Sequence, residues 1–347
     1  MLWVFWGNEK NNWKNNSFIK KKNYYFSNAA FLIDRIVIYA KKKKIQLLSL
    51  DQCKDHNKID CIIFFDFPKF DNVFSKKILK NNKINKILYI HESKIINHDN
   101  FQYKYYKYFS IIFTWCDDII DNKKIFKLYN GYDHNNFLTK NIKKKYFSCM
   151  INENKIFNYH ISLYNKRLEC IKWFEKNHCN DFHLFGFNWN KRFIASKYKI
   201  IRIFNSIDFL TKKFSYNFKC YKGTIKQSLK SKLRTLEKYK FSFVFENTSL
   251  NGWITEKLFH CFFSLTVPVY MGPPNINKYI PKNCFININD FNSYEELYTH
   301  LIRMDESRYL IYIKNIKMFL LSSKYKKFTS KHNSVFFLKK LNKLCQK

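Results

Sequence analysis

Glu246-Asn247 and Thr255-Glu256-Lys257 are polar groups set at junctions between apolar segments, and their types suit the binding of a phosphorylated ligand. The run Phe241–Phe245 is apolar and aromatic, the pattern of a short strand buried on both faces, and it stops abruptly at Glu246. In an open parallel sheet the carboxyl end of a strand faces the ligand crevice, so a carboxylate and an amide at that end are placed for contact. Ile254, Leu258, Cys261 and Phe262 recur at helical spacing over Ile254–Phe263, which puts Thr255, Glu256 and Lys257 in a first turn. A helix start offers unpaired N–H groups and the positive end of the dipole, which suits a pyrophosphate. Lys257 adds a mobile cation, and Glu256 an acceptor for ribose or sugar hydroxyls. A lone Glu-Lys pair in a first turn is ordinarily solvated, and a lone Glu at a strand end is ordinary too. The reading rests on the ensemble.

The elements that must hold these groups form one strand, helix, strand unit over residues 240–292. Gly252 lies in the polar turn before the helix, Thr266–Met271 is the returning strand, and Gly272-Pro273-Pro274 closes it as a turn. Four stretches then line up in order: Phe245-Glu246-Asn247, Trp253-Ile254-Thr255-Glu256-Lys257, Val267-Pro268-Val269-Tyr270-Met271-Gly272 and Asp290-Phe291. Together they resemble the nucleotide-sugar signature of the α-1,3-fucosyltransferases, glycosyltransferase family ten. Trp253 stands where a tyrosine is usual in that family, keeping a flat stacking face and a donor while losing the phenolic oxygen.

Two further residues enter through the resemblance. Glu92 follows the strand Ile87–Ile90 at a carboxyl end; by itself His91-Glu92-Ser93 reads as a turn or cap. The segment from Glu92 through Trp115 to Asp117-Asp118 is similar to the family's acceptor domain, where a Glu commonly followed by Ser-Pro acts as general base. Lys94 replaces the proline here and brings a cation that would tend to lower the carboxyl pKa. Arg167 lies on the helix Ser162–Lys176, where an arginine usually snorkels over its own surface. The order strand, Asn-rich loop, Arg-bearing helix is similar to the family's donor-phosphate arginine. Asp117-Asp118 has no spaced third ligand and reads as a capped loop, not a metal site.

Alternating strands and helices over the first half predict a parallel sheet between helix layers: strands at 2–6, 45–50, 60–65, 86–90 and 110–115, helices at 29–41, 75–81 and 101–108. Residues 132–145 turn polar and Lys/Asn-rich, so a linker is expected there. The second half opens with the strand Tyr146–Ile151, then the Arg167 helix, the strand Phe182–Phe185, an aromatic and basic stretch to residue 222 with no assignable element, and a helix at 226–239. Ser293-Tyr294-Glu295-Glu296 is a capping box opening a helix to Met304, followed by helix over 305–321. Residues 1–140 are read as one α/β domain, 141–322 as a second and 323–347 as a basic C-terminal helix. That segment, with Phe328, Val335, Phe336-Phe337, Leu338, Leu341 and Leu344 as apolar members, is an ordinary terminal helix in the favoured reading; the alternatives are packing back on the first domain or a peripheral membrane contact.

The chain has 347 residues, enough for two cores, and 46% hydrophobic with 20% aromatic residues supplies them. Its formal charge is +37, from 63 Lys and Arg against 26 Asp and Glu. Such an excess ordinarily points to nucleic acid or an anionic membrane. The excess is mainly Lys and accompanies many Asn, Ile, Phe and Tyr, the bias of an A+T-rich coding sequence. No helix-turn-helix, zinc-finger or RRM-like pattern goes with it, so no nucleic-acid partner is expected. The ten cysteines show no paired-ligand spacing and read as buried free thiols in a reducing compartment. Leu2–Trp6 is too short for a signal peptide or a membrane span, so a soluble or peripheral cytoplasmic protein of the microbial type is expected.

The resemblance, strong over about residues 86–310, implies a GT-B arrangement of two Rossmann-like α/β domains facing a cleft. It implies transfer of L-fucose from GDP-β-L-fucose to a glycan acceptor, at the 3-OH of GlcNAc or Glc, with inversion. Glu92 would be the catalytic base, and Arg167, Glu246, Asn247, Trp253, Thr255, Glu256 and Lys257 the donor-binding residues. Glu246 and Glu256 would hold hydroxyls, Asn247 would order the loop or donate to phosphate, and Trp253 would form a wall. No metal cofactor is required by that scheme, manganese being at most stimulatory. The alternatives are a GT-B transferase using another nucleotide sugar, and a catalytically inactive binder of polyanions or lipid surfaces.

Overall fold

Continuous apolar runs become parallel strands covered on both faces, and this pattern builds each half of the chain. The computed structural model describes residues 1–7, 16, 30–68, 73–133, 143–155, 160–189, 218–226 and 228–345. They fall into two units: Met1–Asp133 with Lys326–Lys347, and His134–Tyr325.

In the first unit the order is β1 (Leu2–Gly7), α1 (Ala30–Lys42), β2 (Gln46–Ser49), β3 (Cys61–Phe65), α2 (Val73–Lys80), β4 (Asn85–Ile90), α3 (Tyr103–Tyr106), β5 (Ile111–Thr114) and β6 (Ile125–Lys127). The strands form a six-stranded, wholly parallel sheet of order β2-β1-β3-β4-β5-β6. All five residues of β3 are buried, as its unbroken Cys-Ile-Ile-Phe-Phe sequence requires.

In the second unit come β7 (Tyr146–Ile151), α4 (Tyr164–Asn177), β8 (Phe182–Phe185), α5 (Leu229–Leu236), β9 (Tyr239–Phe245), α6 (Glu256–Phe263), β10 (Val267–Met271), β11 (Ile286–Asn287), α7 (Tyr294–Ile302) and α8 (Glu306–Leu321). Their sheet is also wholly parallel, in the order β11-β10-β9-β7-β8. The chain runs outward from β7 to β8 on one side, then returns to place β9, β10 and β11 on the other. The order therefore reverses between β7 and β9, and their carboxyl ends are where ligands bind such sheets.

The last helix, α9 (Ser330–Cys345), belongs to the first unit. Its Phe337 and Leu341 are fully buried in that unit's core, where Phe337 lies against Phe113 with ring centroids 4.6 Å apart. Lys340 Nζ sits 3.6 Å from the centre of the Phe126 ring, and the Tyr39 hydroxyl donates to Asn342. Grouping of residues 326–347 with the first unit differs from the sequence division, which set residues 323–347 apart, and follows the alternative in which they pack back on the first domain. Spacing Phe337 and Leu341 one helical turn apart gives the helix an apolar stripe that a sheet face can bury.

Other differences are local. The helix expected over 101–108 shrinks to α3, because Gln102 is extended (φ −91°, ψ 99°) and separates it from a 3₁₀ turn at His98–Phe101. The helix expected over 226–239 ends at Leu236, since Tyr239 already opens β9. β6 and β11, of three and two residues, are too short to leave a periodic signal. Ser293 accepts from the Glu296 amide at 3.1 Å as a capping residue should, but the Glu296 carboxylate accepts from Asn292 N instead of Ser293 N. Residues 134–142 of the expected linker, 190–217 of the aromatic and basic stretch, and Ala29 lie outside the described residues. The nine cysteines from Cys53 to Cys284 are free thiols. Among the described residues no helix is long and apolar enough to cross a membrane.

Candidate functional site

The switch point of the second sheet carries the polar cluster. β9 ends at Phe245, and its backbone continues one step further along β10, Glu246 N donating to Met271 O at 2.9 Å. The Glu246 side chain turns inward and is 0% exposed. Its Oε1 accepts from Thr255 N (2.9 Å) and the Tyr270 hydroxyl (3.1 Å), and its Oε2 from the Thr255 hydroxyl (2.7 Å). Lys257 Nζ lies 3.7 Å from Oε2. Burial pushes the Glu246 carboxyl pKa up, while Lys257 and the Thr255 donors pull it back.

Glu246 and Thr255, expected to contact the donor, also bond to each other across the site. Their polar atoms are engaged with each other inside the protein, so they hold the start of α6 against the end of β9. Thr255 is the N-cap residue, one position before the first turn in which the periodicity placed it, and makes no side-chain cap to the helix because its hydroxyl is engaged by Glu246. The start of α6, with the positive end of its dipole, lies beside the end of β9. Glu256 and Lys257 are in that turn and half-buried, while Trp253 is buried in the preceding turn, its N donating to Leu250 O. Gly252, at φ 83°, makes that turn possible, and its N–H is fixed by Asn275 Oδ1 at 3.0 Å.

Two cations meet at the same place. Lys257 Nζ donates to Phe245 O and to Asn247 Oδ1, both at 3.0 Å. Arg167, reaching from the first turn of α4, donates through Nη2 to Phe245 O (3.2 Å) and Asn247 Oδ1 (3.4 Å). Its guanidinium lies 4.7 Å from the centre of the Tyr164 ring, and its buried Nε has no hydrogen-bond partner among the described residues. Burial lowers both cations, Arg167 to about 10 and Lys257 to about 8, with Glu246 opposing the fall in each case. Asn247 orders the loop: its side chain accepts from both cations, and its carbonyl accepts from Leu163 N at 3.2 Å, which ties the loop after β9 to the start of α4. Arg167, Asn247, Glu246, Thr255, Glu256, Lys257 and Trp253 are thus brought together in one unit.

Tyr270 and Gly272 complete the cluster. A Cβ at Gly272 would stand 2.3 Å from the Tyr270 hydroxyl oxygen, so only glycine lets that hydroxyl reach Glu246. Both residues lay within the quoted motif, but spacing alone gives no reason for either.

Glu92 is on the first unit, just past β4. Its side chain is 38% exposed and its carboxylate lies 3.9 Å from His91 Nδ1. Asp117 of the adjacent acidic pair is ion-paired to Lys127 at 2.8 Å. Among the described residues no group of three or more His, Cys, Asp or Glu is arranged to hold a metal.

Taken together, the second-unit cluster sets two cations and a helix start against one buried carboxylate, an arrangement that attracts an anion of more than one charge.

Residues 196–347 match the family model described as glycosyltransferase family 10 (fucosyltransferase), C-terminal part. Among curated relatives, Alpha-(1,3)-fucosyltransferase FucT of Helicobacter pylori is 37% identical over 75 residues, which is 22% of this chain and 16% of that protein. The 4-galactosyl-N-acetylglucosaminide 3-alpha-L-fucosyltransferase 9 of Mus musculus is 40% identical over 83 residues, 23% of each chain. The matched stretches therefore span only 16 to 23% of these relatives' length. Among solved structures, an alpha1,3-fucosyltransferase with GDP aligns with 100% of this chain and 90% of its own at TM-score 0.57 and 16% identity. An alpha-glucosyltransferase in complex with UDP and DNA aligns with 100% of this chain and 99% of its own at TM-score 0.58 and 11% identity. At such identities the likeness is one of fold, and the fold is the GT-B type, two parallel-sheet α/β domains.

Proposed function

We propose that this chain, whose residues 196–347 are matched by the C-terminal part of the family 10 fucosyltransferases, transfers L-fucose from GDP-β-L-fucose to a hydroxyl of a glycan acceptor. The observation that carries the reading is the convergence of Arg167 Nη2 and Lys257 Nζ beside the start of α6, at the switch point of the second sheet. A nucleoside diphosphate is the anion such a cluster suits.

In the reaction, the acceptor hydroxyl oxygen bonds to the anomeric carbon as the bond from that carbon to the β-phosphate oxygen breaks. The hydroxyl proton passes to Glu92, and GDP leaves. Attack from the face opposite the diphosphate inverts the anomeric centre to an α linkage, at the 3-OH of GlcNAc or Glc in this reading. The sugar becomes oxocarbenium-like while charge gathers on the leaving diphosphate. Arg167, Lys257 and the helix start after Gly252 meet that charge, and Glu256 accepts from a ribose or fucose hydroxyl. The scheme requires no metal, because cations of the chain already face the leaving group.

The test is GDP release from GDP-fucose, with and without N-acetyllactosamine-like acceptors, in EDTA and again with manganese. Acceptor-dependent release that survives EDTA is expected. Release only with another nucleotide sugar would favour the second reading, which the alpha-glucosyltransferase's likeness in fold supports. No release from any nucleotide sugar, with salt-sensitive binding to polyanions, would overturn both.

A further inference from the structure

The loop that carries Glu92 is built around a residue from the neighbouring strand. β3 and β4 pair in parallel up to Phe65 opposite Tyr89, and Asp66 N still donates to Tyr89 O at 2.9 Å. The next bond of a parallel ladder would run from His91 N to the carbonyl of Asp66. It does not form. Asp66 adopts φ 65°, left-handed backbone that only Gly, Asn and Asp visit readily, and its side chain takes over as acceptor. Asp66 Oδ1 accepts from His91 N (2.7 Å), Glu92 N (2.9 Å) and Asn100 Nδ2 (2.7 Å). Asn100, fully buried, donates from the same amide to Glu92 O at 3.2 Å and accepts from Phe67 N at 2.7 Å. Trp115 Nε1 donates to His91 O at 3.2 Å. Both backbone polar groups of Glu92 are therefore held by side chains, while its carboxylate stays partly exposed.

We propose that Asp66 is the positioning residue of the catalytic base: its buried carboxylate, with Asn100, fixes the backbone of Glu92 so that the Glu92 carboxylate is presented in one orientation. This rests on the reading of Glu92 as base. A charged acceptor serves three N–H donors at once more strongly than an amide oxygen would, and a loop locked on both sides of the base spends no entropy on orienting it during turnover. The arrangement lies in the first unit and the donor cluster in the second.

The experiment is a double-mutant cycle on transfer kinetics, with GDP affinity by calorimetry and thermal unfolding as controls. Asp66→Asn should lower kcat by about 10- to 100-fold while leaving GDP affinity unchanged within about twofold. Asp66→Gly, which accepts the left-handed backbone but lacks the carboxylate, should behave alike and keeps the test alive if the Asn variant fails to fold. In a Glu92→Gln background either change should add little further loss, because the base it serves is already gone. Losses that multiply in the double variant would show that Asp66 acts independently of Glu92 and would overturn the inference alone, as would full kcat in the Asp66 variants. Full turnover by Glu92→Gln itself, or no transfer by the wild-type protein from any nucleotide sugar, would remove the reading of Glu92 as base and the inference with it.

Discussion

Arg167 and Lys257 share their acceptors: Phe245 O lies 3.2 Å from Arg167 Nη2 and 3.0 Å from Lys257 Nζ, and Asn247 Oδ1 lies 3.4 and 3.0 Å from the same atoms. Two like charges are thus held side by side by neutral oxygens, with the buried carboxylate of Glu246 behind them. An anionic ligand relieves their repulsion as well as pairing with them.

The ionisation of Lys257 follows. Burial holds its ammonium down to about 8, so in the free protein the cation is lost as pH rises through that value. GDP affinity should fall about tenfold between about pH 7 and pH 9, and Lys257→Arg should flatten the profile because guanidinium stays charged. Calorimetric titration at the two pH values checks this; a flat wild-type profile would mean that Lys257 is not the group that titrates. The folded-state value lies below the unfolded one, so the unfolded chain binds more protons between them. This group's contribution to stability therefore rises with pH from about 8 towards 10.5.

Glu246→Gln removes the buried carboxylate that faces Arg167 and Lys257, leaving Glu256 as a weaker counter-charge to Lys257, and gives the Thr255 and Tyr270 donors a poorer acceptor. A loss of about 3 kcal/mol is expected, read as a lower urea midpoint at unchanged slope. A midpoint equal to the wild type would refute the role of Glu246 as the buried counter-ion.

How much of this was legible in the sequence varies residue by residue. The run Phe241–Phe245 and the helical spacing after Ile254 placed Glu246, Glu256 and Lys257 on one unit, because apolar periodicity is set by burial and survives in the sequence. Which way Glu246 points is set by Thr255 and Tyr270, residues distant along the chain, and no local pattern reports it. Asp66 was missed although the strand-end rule that drew attention to Glu92 and Glu246 applies to it equally. Phe65-Asp66-Phe67-Pro68 reads as a turn, and its left-handed backbone leaves no mark in the residue types when the residue is Asp. In α9 the apolar members Phe337 and Leu341 are legible, and packing on the first domain is among the alternatives they leave open; nothing local in a lysine-rich helix decides which surface it covers.

Gly272→Ala should cost about 1–3 kcal/mol and weaken GDP binding, since the new Cβ would lie within 2.6 Å of three Tyr270 atoms and Tyr270 is buried with no room to retreat. Tyr270→Phe should cost about 1 kcal/mol by itself and should not rescue the alanine variant, because the clash includes ring carbons as well as the hydroxyl. Rescue would place the strain elsewhere. Chemical denaturation of the two single variants and the double variant decides.

Leu341→Ala should destabilise the first unit by about 2–5 kcal/mol, the range for a large-to-small change in a packed core. GDP affinity, which the proposed function assigns to the second unit, should persist at temperatures below the new midpoint. Thermal unfolding followed by tryptophan fluorescence, with GDP titration alongside, measures both. An unchanged midpoint would mean that α9 is not part of that core.

Because α9 completes the core of the first unit, that unit is discontinuous in synthesis. At 5–20 residues per second, Phe337 and Leu341 leave the ribosome about 10–40 s after β6. Residues 134–325, contiguous in the chain, emerge in full before the first unit has its last packing partners. The later unit can therefore finish folding first, while Phe113 and Phe126 of the nascent β5 and β6 wait for the α9 side chains that cover them.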